Sequence, residues 1–157
     1  MIDLYKKKCE SDFLDYISRN SLDNFYLTEN NERVFIKEKY SLRKLLKESL
    51  NFYISRNDME INGAILVWKS NFNKISRKYV KFITNDPKIL KNLLTVLLWH
   101  TNSDLYIKID NNSIFIKVLK QKGFQFFRGR GQQILLRRLQ HGSYSGYNKN
   151  KNKEYSR

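Results

Sequence analysis

Apolar residues change their spacing several times along the chain, and each change marks an element. From Met59 to Trp68 the spacing is two: Met59, Ile61, Gly63, Ile65 and Val67 share one face, with Asn62, Ala64, Leu66 and Trp68 on the other. That is the alternation of a pleated strand, and its second face turns apolar only towards the end. Tyr79 to Thr84 reads as a second strand, in which Val80 and Phe82 alternate with Lys81 and β-branched and aromatic residues dominate. Lys69, Lys74, Arg77 and Lys78 lie in the connection, with no acid among them. The expectation is a long hairpin with a basic tip around Phe72, suited to touching phosphate and stacking on a base.

The flanking segments switch to helical spacing and back. Ser41 is a candidate N-cap for a helix in which Leu42, Leu45, Leu46, Leu50 and Tyr53 recur on one side, with Arg43, Lys44, Lys47 and Glu48 opposite. Arg33 to Lys39 is a candidate strand, and Ser11 a candidate cap for a helix holding Phe13, Leu14 and Ile17. After the hairpin, Asp86-Pro87 starts a helix, since aspartate caps well and proline fits the first turn. Its stripe is Leu90, Leu93, Leu94, Leu97 and Leu98, a core face. Asp104 to Asp110 reads as a strand with Leu105, Ile107 and Ile109 inward. Asn111 or Asn112 then caps a short helix with Ile114, Phe115, Val118 and Leu119 inward, closed by Gly123. Phe124 to Phe127 and Gln132 to Leu139 form a last strand pair, joined by Arg128-Gly129-Arg130-Gly131.

The order strand, helix, hairpin, helix, strand, helix, strand pair predicts an α+β fold, a mixed or antiparallel sheet with helices mainly on one face. Residues 1–33 read as a partly helical N-terminal extension and 34–139 as a single α+β core domain. Residues 140–157 read as a basic tail that a partner would have to order, being rich in Gly, Ser, Asn and Lys.

Composition sharpens this picture. Hydrophobic content of 41% with 14% aromatic residues belongs to a folded chain. A formal charge of +15 and a pI near 9.9 repel the molecule from itself unless a polyanion neutralises it. The expected RNA-binding residues are Lys69, Phe72, Lys74, Arg77, Lys78, Arg128, Arg130, Arg137 and Arg138, with Lys149, Lys151 and Lys153 in the tail. A single cysteine, Cys9, excludes an internal disulfide and a thiolate zinc site. His100 and His141 lie far apart, so no metal site is expected. No apolar run approaches the ~20 residues of a membrane span, and Lys6, Lys7 and Lys8 are not followed by the apolar run of a secretory signal. The lone Ala64 and Pro87, beside 20 Lys, 17 Asn and 14 Ile, suggest an AT-rich genome: an organelle such as a mitochondrion, a phage or virus, or an AT-rich bacterium. Serine-hydrolase, zinc-protease and P-loop signatures are all missing.

From about Val34 to Phe126 the chain resembles the small-subunit ribosomal protein ten family. Gly63-Ala64-Ile65-Leu66-Val67-Trp68 stands where that family has a Gly-Pro-Ile-Pro-Leu-Pro run. Asp86-Pro87-Lys88-Ile89 with Lys91 stands where it has a Ser-Pro-His-Val run and a lysine. The resemblance implies a structural protein of the ribosome, in an organelle or the cytoplasm, whose hairpin contacts rRNA and neighbouring ribosomal proteins. From about Phe52 to Leu139 the chain also resembles the GNAT acyltransferase fold. Phe52-Tyr53-Ile54 through Asn62-Gly63-Ala64-Ile65 is similar to its central hairpin, and Asn112 with Gly123-Phe124 to its Asn, helix, Gly-Phe signature. That resemblance implies acetyl-CoA as substrate. The family's glycine-rich diphosphate loop is missing, however, and Asp86 puts a negative charge at that helix start. Leu119 stands where many members keep a tyrosine acid. The charge and the missing loop favour the first resemblance: a structural RNA-binding protein, not an enzyme, with no cofactor, no membrane and no small-molecule substrate. A degenerate acyl-CoA-dependent N-acetyltransferase is the alternative.

Overall fold

The computed structural model describes residues 1–20, 26–29, 32–35, 43, 47, 49–70, 76–129 and 131–140. Its frame is a seven-stranded mixed sheet with the order β1-β4-β5-β6-β7-β9-β8. The strands are β1 (Ile2–Leu4), β4 (Ser49–Asn57), β5 (Glu60–Ser70), β6 (Arg77–Ile83), β7 (Leu105–Asp110), β8 (Gln125–Arg128) and β9 (Gln133–Arg138). Every neighbouring pair is antiparallel except β6 with β7. β2 (Tyr26–Glu29) and β3 (Glu32–Phe35) make a separate antiparallel pair.

Three α-helices cover the two faces of the sheet among the described residues. Helix α2 (Pro87–Trp99) buries Leu90, Leu93, Leu94 and Leu97 against Ile65, Val67, Val80 and Phe82. Helix α3 (Ile116–Gln121) adds Val118 and Leu119 to the same cluster. Each leucine so buried stabilises the fold by about 1.5–3 kcal/mol relative to exposure. Helix α1 (Glu10–Ser18) lies on the opposite face, with Phe13, Tyr16 and Ile17 against Phe52, Ile54, Ala64 and Leu66. Helix α2 comes close to the sheet at Gly63, where a Cβ would stand 2.8 Å from Ile89 Cγ2 and 3.2 Å from Leu93 Cδ1.

Local signals hold where they were strongest. Asp86 caps α2, its Oδ1 accepting from the Lys88 N–H at 2.9 Å, with Pro87 in the first turn. Gly123 has φ +97°, the left-handed conformation that ends a helix. Other expectations change. Leu50 and Tyr53 belong to strand β4, not to a helix. That strand is covered on both sides, Phe52 and Ile54 packing beneath α1 and Tyr53 in the α2 cluster. Two-sided burial erases the period of two and leaves apolar spacings that imitate a helix. The expected cap Ser41 lies outside the described residues, as do residues 71–75 at the expected hairpin tip. Arg77 and Lys78, expected in the connection, are already paired in β6 with Ser70 and Lys69. Ile114, expected inward, is 65% exposed. Of the three described α-helices, α2 and α3 share one face of the sheet and α1 lies on the other.

Candidate active site

The β6–β7 pair is the one parallel contact in the sheet, and its register is confined to Tyr79 opposite Tyr106. Beyond that point both strands continue, each paired only on its outer side: β6 with β5 as far as Ile83 opposite Ala64, and β7 with β9 as far as Asp110 opposite Gln133. Lys81–Ile83 and Lys108–Asp110 therefore share no register with each other, and the two strands part there. Strands that part inside a sheet leave an edge along which an extended amide chain can dock.

On the helix side of this gap, Phe82 meets Phe115 edge to face, with ring centroids 5.0 Å apart. On the other side stand Lys81 and Lys108. Lys81 is 6% exposed and holds its Nζ 4.9 Å from the centroid of the Trp68 ring. Burial, helped by the neighbouring charge of Lys108, pulls the Lys81 ammonium down from 10.5 to about 7. Both faces of β6 are covered at this level, so Lys81 is buried as well as the Val80 and Phe82 that alternate with it. Beside it, the Trp68 Nε1–H is buried with no hydrogen-bond partner. An orphaned donor next to an amine near neutrality is an arrangement that a ligand would complete. No single-residue signal marks either group. Only the crossing of β5, β6 and β7 brings them together.

The start of α2, at the end of β6, is already occupied. Asp86 takes the Lys88 N–H on its carboxylate, and its carbonyl accepts from Ile89 and Leu90 at 3.0 and 3.1 Å. The Asp86 N–H donates to Thr84 Oγ1, which in turn donates to the Asn62 carbonyl. This helix start does not fit a diphosphate, whereas the gap where β6 and β7 part does fit an amide-bearing arm.

The described residues among those expected to bind RNA fall into separate groups. Lys69 and Lys78 are opposite one another across β5 and β6, and Lys78 Nζ donates to Ser103 Oγ at 2.7 Å. Arg138 turns to the helix side, where its Nε donates to the Lys122 carbonyl at 2.8 Å and closes the end of α3. Burial lowers its pKa. Arg77, Arg128 and Arg137 gather around Phe127 instead. Phe72, Lys74, Arg130, Lys149, Lys151 and Lys153 lie outside the described residues. Among the described residues there is no cluster of His, Cys, Asp and Glu that could hold a metal ion, and no helix is long and apolar enough to cross a membrane.

No family model matches the chain, and no curated protein matches it either. Solved structures do. The chain is similar to a GNAT-family acetyltransferase from Streptococcus pneumoniae, with a TM-score of 0.67 and 12% identity over 88% of this chain and 98% of that one. An N-acetyltransferase from Staphylococcus aureus gives 0.64 and 11% over 89% and 97%. A ribosomal-protein-alanine N-acetyltransferase from Brucella melitensis gives 0.62 and 12% over 88% and 99%. The fold is thus that of the acetyltransferases. These likenesses overturn the resemblance to the small-subunit ribosomal protein ten family. The reading as a non-enzymatic rRNA-binding protein, partnered by RNA and ribosomal proteins with no small-molecule substrate, falls with it. Net charge had carried that reading, and charge speaks to association rather than to fold.

Proposed function

We propose that the chain transfers an acyl group, acetyl in the first instance, from a coenzyme A thioester to an amine. The supporting observation is the gap between β6 and β7, set in a fold shared with solved acetyltransferases over 88% of the chain. The donor supplies an activated carbonyl carbon. The backbone of Lys81–Ile83 and Lys108–Asp110 binds its amide arm, and Phe82 with Phe115 excludes water from the helix side. Lys81, with a pKa of about 7, is neutral in a large fraction of molecules at neutral pH. It accepts the proton that the acceptor ammonium must lose before its nitrogen attacks. The Trp68 Nε1–H, buried and unpartnered, donates to the carbonyl oxygen as negative charge builds there. The new C–N bond forms, the C–S bond breaks, and the proton that the attacking nitrogen sheds goes to the departing thiolate, which leaves as the thiol.

Calorimetry with acetyl-CoA tests the reading, followed by thiol-release assays over a panel of amines. Saturable binding is expected, together with turnover that drops when Lys81 becomes Met. Absence of binding heat at millimolar acetyl-CoA, with no thiol release from any amine, would overturn it.

A further inference from the structure

The α1 side of the sheet carries a second group of residues at the end of β6 remote from α2. A register shift between Phe126 and Arg128 sets Phe127 beside Tyr106, with ring centroids 5.7 Å apart at 74°. Guanidinium groups surround that phenyl ring. Arg137 lies 4.2 Å from its centroid, Arg77 5.6 Å and Arg128 5.7 Å. Arg77 also stands 4.7 Å over Tyr106. The three arginines come from β6, β8 and β9, so the fold, not a basic run in the sequence, assembles them. Among the described residues none of the three is ion-paired with a carboxylate. The acids flanking β7 are otherwise placed: Asp104 accepts from the Gln140 N–H at 2.8 Å, and Asp110 ends the strand at the far side of the gap.

A ring face attracts a guanidinium and fixes its plane, but leaves its N–H donors unused. Three such forks around one ring repel each other, and a multiply charged oxyanion with several acceptor oxygens relieves that repulsion while filling the forks. Arg77, Tyr79 and Lys81 share one face of β6. The four-residue step from Arg77 to Lys81 is ~13 Å at the usual rise of a strand. Tyr79 lies between them, with Lys108 Nζ 5.7 Å from its ring.

We propose that Arg77, Arg128 and Arg137 form an oxyanion site that anchors the acceptor, which therefore carries a phosphate ester or a cluster of carboxylates on the order of 10 Å from its reacting amine. The acceptor role rests on the acyl-transfer reading; the oxyanion site itself does not.

The test uses the full chain with 15N-labelled arginine. Inorganic phosphate and citrate are titrated separately at constant ionic strength while the Nε–Hε signals are followed. Acetyl-CoA binding is measured in parallel. Saturable shifts of the Arg77, Arg128 and Arg137 signals are expected, with affinity at least ~10-fold weaker in R77Q/R137Q and acetyl-CoA affinity unchanged. The charge-retaining R77K/R137K should fall between, because lysine lacks the fork. A response to phosphate alone indicates a phosphate ester, and a response to citrate alone a polycarboxylate. If these signals stay still while other arginines move, or if the folded double variant binds as well as the parent, the proposal fails. Oxyanion binding without acetyl-CoA binding would instead remove the transfer reading and leave only the anion site. The labelled parent chain decides the matter even if the double variant does not fold.

Discussion

Lys81→Met should stabilise the protein below pH 7 and flatten its stability above it. Lys81 is 6% exposed, and burial, with Lys108 second, lowers its pKa from 10.5 to about 7. Below pH 7 the group is charged both folded and unfolded, so folding has to desolvate an ammonium. Between about 7 and 10.5 the folded chain has released that proton while the unfolded chain still holds it, so stability climbs with pH. Above 10.5 the group contributes no further slope. At about 1.4 kcal/mol per pH unit, the full climb has a ceiling of ~5 kcal/mol. Methionine keeps most of the volume but loses the contact of the ammonium with the Trp68 ring, worth ~1–2 kcal/mol in a desolvated setting. The variant should therefore gain ~2–4 kcal/mol at pH 6 and converge on, or fall slightly below, the parent by pH 9.5. Urea titrations at pH 6, 7.5 and 9.5 measure this. Parallel stability curves for parent and variant would refute the reasoning, since they would mean that Lys81 titrates alike in both states. The range stops short of the tyrosines: burial pushes Tyr5 and Tyr16 up to about 12, so between 10 and 12 stability should decline as the unfolded chain loses protons first.

The same lysine gives a kinetic expectation. The kcat/KM profile should rise with pH along a limb centred near 7, and Lys81→Met should remove the limb and lower kcat by ~10²-fold or more. An unchanged limb in the variant assigns the proton transfer to another group. Asp86→Ser keeps a capping oxygen and removes the charge at the start of α2, so melting should change little while acetyl-CoA binds more tightly. Asp86→Ala should cost ~1 kcal/mol of stability, measured by thermal denaturation. In the β8–β9 turn, Gly129 has φ +119° with its missing Cβ only 3.0 Å from the Gln133 carbonyl oxygen and Ile134 Cα, whereas Gly131 has φ +76° and nothing within 4 Å. Gly129→Ala should therefore destabilise by ~2 kcal/mol or more and Gly131→Ala by ~1 kcal/mol; equal losses in denaturant titrations would contradict the contact.

What the sequence determined by itself is whatever a few neighbouring residues decide. Asp86-Pro87 starts a helix through a cap and a preset φ, the leucines from Leu90 to Leu97 face one way because a helix repeats every 3.6 residues, and Leu105, Ile107 and Ile109 alternate because a strand repeats every two. The GNAT resemblance, too, was legible in Phe52 to Ile65 and in Gly123-Phe124. Tertiary structure decided the rest. It covered both sides of β4, so that Phe52, Tyr53 and Ile54 are buried in succession and the period of two is lost, and it buried Lys81 beneath the opposite face from Val80 and Phe82. It paired β6 with β7 at one position only, and this opened the gap. It also drew Arg77, Arg128 and Arg137 from three strands onto one phenyl ring. The physical reason is common to all of these: burial, and with it the protonation of an amine, depends on what packs across the sheet, and residues far apart in the chain supply that packing.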